Sequence, residues 1–181
     1  MADDRDIKIY VSKSEEAESE FSNISDVIIK HTANGNKEKA VILGQYLAKV
    51  RPEDGFVDLS GFRMTAPLLY QIRVLLTFLA EQAVGRNIKE EVLAQTVTSA
   101  MYDYLKANES GYYDNISDGG AFTFYLLALN KGGDTAENIG EQFSKLCNIN
   151  WPEIVDLGKR VFIQSSEYFD RIINETTFEE V

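Results

Sequence analysis

Apolar residues recur along most of this chain at three- and four-residue intervals, the spacing of amphipathic helices. Ala17, Phe21, Ile24 and Ile28 form one such stripe. It follows a capping-box pattern at Ser12 and Glu15, and Asn34 and Gly35 close it. A second stripe, Ala40, Leu43, Leu47 and Val50, stops before Pro52. Thr65 and Pro67 supply a cap and a first-turn proline for a third helix, which is apolar around most of its circumference and closes at Gly85. A fourth helix, capped by Asn87 and Glu90, carries Leu93, Val97, Met101 and Leu105 inward and ends at Gly111.

Residues 121–129 read as a short, very apolar fifth helix. Asp134 caps a sixth, bearing Ile139 and Phe143. Asn150, Trp151, Pro152 and Glu153 open a seventh that runs to about Asn174. The pattern predicts an all-α single domain over 1–181, with about seven helices in an orthogonal or bundle-like arrangement. Helices three and five are expected at its centre, and 1–6 and 175–181 as frayed ends. Strict alternation at Ile7, Ile9 and Val11 suggests a minor strand, pairing with 56–59. The segments 52–64 and 112–120 read as polar loops. No internal repeat interrupts the chain.

Charge narrows the partners. The net charge is −11, concentrated at the two ends: residues 1–26 hold eight acids against three bases, and 153–181 hold seven against three. Such a surface repels phosphates and anionic lipid, so neither nucleic acid nor membrane is expected to bind. The acidic start MADDRD lacks a signal peptide's apolar core, and the most apolar stretch, 66–80, is too short and polar to span a bilayer. A cytoplasmic protein is expected.

Chemistry is scarce. One histidine, His31, and one cysteine, Cys147, leave little for nucleophilic catalysis or for a zinc site. No disulfide can form within the chain, and no cofactor is expected. The glycine pairs 119–120 and 132–133 match no phosphate-binding loop. A helix-turn-helix over 134–165 would lack basic residues at the start of its recognition helix. Any metal would fall to carboxylates, and Glu15, Glu18, Glu167 and Asp170 are the set with helical spacing.

The loop from Asp114 to Gly119 faintly echoes a calcium loop, but Ile116 and Tyr125 occupy ligand positions. Asp114 and Asp118 suit an Asx turn and a helix cap instead. The two loops still suggest a partner-binding surface: Phe56 and Phe62 in the first, and Tyr112, Tyr113, Asp114 and Asp118 in the second. Arg73 stands out in the most apolar helix as a ligand candidate, although Arg73, Thr77 and Glu81 form one stripe that reads as a solvent- or partner-facing edge.

The function expected is therefore a non-enzymatic helical interaction or regulatory domain, with a protein partner or self-association as a homodimer. The alternative is a small-molecule or nucleotide-handling protein with a carboxylate-bound divalent metal. An acidic inhibitor of a basic protein is a third reading.

Overall fold

A computed structural model describes residues 24–180. Eight α-helices and one 3-10 turn make up the described fold, and no strand occurs among these residues. Helix α1 covers 24–33; α2 is Asn36–Lys49, followed by the 3-10 turn Pro52–Asp54. Then come α3 (Ala66–Asn87), α4 (Glu91–Asn108), α5 (Ser110–Ser117), α6 (Gly120–Asn130), α7 (Thr135–Leu146) and α8 (Pro152–Glu175).

Helix α3 is the axis of the domain. Its N-terminus is set by Thr65, whose side chain accepts from the Leu68 N–H, and by Pro67 in the first turn. Ile72, Leu75, Phe78, Leu79 and Ala83 along it are almost wholly buried, on more than one face, as expected of a central helix. It packs against α8, α4, α6 and α7.

Two tight helix pairs flank this axis. Helix α2 lies on α4 at Gly44, where a Cβ would fall 2.3 Å from the Val97 carbonyl oxygen. Helices α7 and α8 meet at Gly140 and Gly158, where added Cβ atoms would fall 2.5 Å from the Val155 carbonyl oxygen and 2.8 Å from the Phe143 Cβ. Glycine at these three positions permits backbone-to-backbone approach.

The domain is all-α, and it differs from the sequence pattern at three places. The segment read as the loop 112–120 is mostly helix α5. The chain breaks at Glu109 (φ −146°, ψ 51°), and Tyr112 and Ile116 then bury one side of a short amphipathic turn. Helix α3 runs through Gly85 to Asn87, because nothing within 4 Å or in its backbone dihedrals forces an end there.

No strand forms at 56–59. The ring of Phe56 stacks on Tyr168 at 4.2 Å, Val57 is buried, and the Asp58 N–H donates to the Gln164 side chain. The backbone is thus satisfied by α8 and not by a ladder. The proposed partner strand, 7–11, and the caps at Ser12 and Glu15 lie outside the described residues.

After α8, residues 177–179 are held against the fold. Asn36, fully buried, exchanges two hydrogen bonds with the main chain of Glu179 (2.8 and 2.9 Å). Lys39 donates to the Thr177 carbonyl at 3.0 Å, and Phe178 packs on the core. A buried amide needs such partners, and the tail supplies them.

Candidate functional site

The stripe Arg73, Thr77 and Glu81 is partly covered in the structure. It faces α4 and α5 instead of solvent. Glu109, at the break between those helices, places one carboxylate oxygen 2.6 Å from Arg73 Nη2 and the other 2.5 Å from Arg51 Nη2. The Arg73 guanidinium lies 3.8 Å from the centroid of the Tyr112 ring. The Tyr112 hydroxyl is 2.8 Å from Thr77 Oγ1 and donates to the Arg73 carbonyl at 3.2 Å. Further along, the Tyr102 hydroxyl donates to Glu81 at 2.6 Å.

This network fastens the α4–α5 corner to α3. Burial pushes the Tyr112 hydroxyl up to about 12, against the opposing pull of its bond to Thr77 and of Arg73. Burial, then the bond to Glu81, drives Tyr102 upward as well. Arg73 is thus engaged by Glu109 and Tyr112 and presents no open binding group. Arg51 and Glu109 escaped notice in the sequence, since neither sits in a motif and 58 positions separate them.

The aromatic residues expected at a surface are largely internal. Tyr112 is 8% exposed. Tyr113 is half-buried against Tyr102 and beneath Lys106. Phe56 packs between α8 aromatics, and Phe62 lies under Arg160. Asp114 and Asp118 are exposed.

The carboxylates do not assemble a metal centre among the described residues, where no group of three or more His, Cys, Asp or Glu could hold an ion. Asp170 is taken by Arg86 (2.9 Å) and Asn87 (2.6 Å), while Glu167 is exposed. Glu15 and Glu18 lie outside the described residues.

His31 is 3% exposed, and its Nδ1 accepts from the Asn36 amide at 3.0 Å. The amide's orientation follows from its two bonds to Glu179, so the proton of the neutral ring sits on Nε2. That Nε2 is buried with no hydrogen-bond partner among the described residues. Burial also pushes the Cys147 thiol up to about 12.

The largest departure from expectation is α6. It is the most apolar element, expected at the centre, yet it lies at the edge. Its inner side packs Phe122 and Tyr125 on Phe78 of α3, with Ala128 also buried. Its outer side leaves Phe124 48%, Leu126 47% and Leu127 62% exposed. No charged residue falls between Gly119 and Asn130. A helix apolar on both sides normally has both covered.

A second feature is a groove of about 630 Å³ between α1, α2 and α4, lined by Ile28, Val41, Leu93, Ala100 and Tyr104 among others. No described helix is long and apolar enough to cross a membrane. No known protein family, curated protein or solved structure matches this chain.

Proposed function

We propose that this chain is a non-enzymatic protein-interaction domain that works through the outer face of α6, in the cytoplasm. The observation that carries the reading is the open, uncharged apolar side of that helix at Phe124, Leu126 and Leu127. Exposed aromatic and aliphatic side chains of this size, clustered on a rigid helix, are the usual anchors of an interface. The engaged state of Arg73 and of Asp170, the burial of His31 and the raised Cys147 thiol add support by leaving little chemistry on the described surface.

A photo-crosslinking residue at position 127 tests this in cells, with the exposed position 163 on α8 as control. Protein adducts are expected from 127 and not from 163. Equal yields from both, or none from 127, would sink the reading.

A second reading, binding of a small apolar molecule, draws on the groove beside His31, whose volume falls in the range of ligand sites. A thermal-shift panel of apolar metabolites tests it: a ligand at about 100 times its dissociation constant adds roughly 2.7 kcal/mol.

A further inference from the structure

We infer that the occupant of the α6 face is a second copy of this chain, bound with the two α6 helices antiparallel about a two-fold axis. The inference rests on the interaction reading above and deepens it. The observation behind it is the order of residues along one stripe of the helix. At 100° per residue, Gly120, Phe124, Leu127 and Lys131 fall on a single line, and all four are exposed. Lys131 continues the helical backbone (φ −66°, ψ −21°), so the stripe reaches it unbroken.

This line is self-complementary. Turned end for end on itself, it sets Phe124 against Leu127 of the second copy, and Leu127 against its Phe124. The same register sets Lys131 beside Gly120 of the second copy, two residues from Asp118. Gly120 has no side chain to obstruct that approach; even an added Cβ would meet only the Phe124 ring, at 3.9 Å. Asp118 is exposed and forms no ion pair among the described residues. Lys131 is 60% exposed and only loosely held by Glu141, at 3.4 Å.

Charge selects this arrangement over others. The chain carries −11, so two copies repel wherever acids meet. The α6 face is neutral; Lys131, shared with Glu141 at 3.4 Å, stands at one end, and Asp118 lies two residues before the other. An antiparallel pair therefore gains two Lys131–Asp118 contacts by symmetry, whereas a parallel pair sets like ends together. The antiparallel helix dipoles act in the same direction. One 11-residue helix face is small beside the roughly 1,200 Å² of a stable interface, so the dimer is expected in the micromolar range.

Sedimentation equilibrium on the full chain tests this, with helicity of every variant checked by circular dichroism. The wild type is expected to show a concentration-dependent dimer below roughly 100 µM. Leu127→Asp is expected to be monomeric, and Leu127→Ser serves if the aspartate variant loses helicity. Asp118→Lys is expected to weaken the dimer about tenfold, and Asp118→Lys with Lys131→Asp to return it to within about threefold of wild type. A wild type that stays monomeric, a dimer that survives the Leu127 variants, or a double charge swap no tighter than the single would each overturn the inference. Crosslinked adducts at position 127 that are never twice the chain's mass would likewise overturn it, while leaving the broader interaction reading in place.

Discussion

Gly158 of α8 faces Gly140 of α7 so closely that a Cβ built on Gly158 would lie 3.0 Å from the Gly140 Cα and 2.8 Å from the Phe143 Cβ. Both obstacles are fixed parts of a neighbouring helix, so the pair can relieve the overlap only by moving apart. Gly158→Ala is therefore expected to destabilise the domain by about 1–3 kcal/mol, read as a fall in the urea midpoint. Gly85→Ala is the contrast. It sits exposed inside α3 with nothing within 4 Å, and should stabilise by about 0.5–1 kcal/mol. Equal effects at the two sites would refute the close-packing account.

Tyr112 behaves as a core residue and not as an interface anchor. Tyr112→Phe removes the hydroxyl shared with Thr77 and should cost about 1 kcal/mol. Tyr112→Ser also empties the space beside Tyr70 and beneath Arg73, and should cost roughly 3 kcal/mol or more. Chemical denaturation separates the two. A Tyr112→Ser variant as stable as wild type would return this residue to the surface role that its neighbour Tyr113 invites.

Alkaline stability follows from the same hydroxyl. In the unfolded chain it loses its proton near 10, but in the folded protein only near 12. Between those values the unfolded state binds fewer protons than the native state, so stability falls as pH rises. Thermal melts from pH 9.5 to 11.5 should show this decline, and Tyr112→Phe should make it shallower. A variant with the wild-type slope would show that the tyrosine ionises equally in both states.

Tyr125 carries the opposite lesson. It is wholly buried, it packs on Phe78, and its hydroxyl has no hydrogen-bond partner among the described residues. Tyr125→Phe keeps the ring and removes the unsatisfied group, so it should be neutral or stabilising by about 1 kcal/mol. A loss of more than that in calorimetry would reveal a bond made through water.

The class of the fold was legible because six of the helices carry long, regular stripes, and caps such as Thr65 and Asp134 fall where a helix start demands them. What periodicity does not carry is the partner of each stripe. The apolar excess of α6 marked it for the centre, but only one of its sides found α3; nothing local says that the other stays open. Helix α5 was missed because Gly111 and a run of polar residues resemble a loop, and its helicity depends on Tyr112 finding Arg73 and Thr77. The Arg51–Glu109–Arg73 cluster is assembled from distant positions, so Arg73 stood out in its apolar helix while its partners Arg51 and Glu109 looked like ordinary surface charges.

Asn36 also bears on how the chain is made. Its buried amide is satisfied by the main chain of residue 179, at the far end of the described fold. During synthesis α2 and α4 can meet early, but this amide stays without those partners until residue 179 has left the ribosomal tunnel. Closure of the domain around α2 is thus a late event, and nascent chains stalled before that point should be open to proteases at the α1–α2 junction.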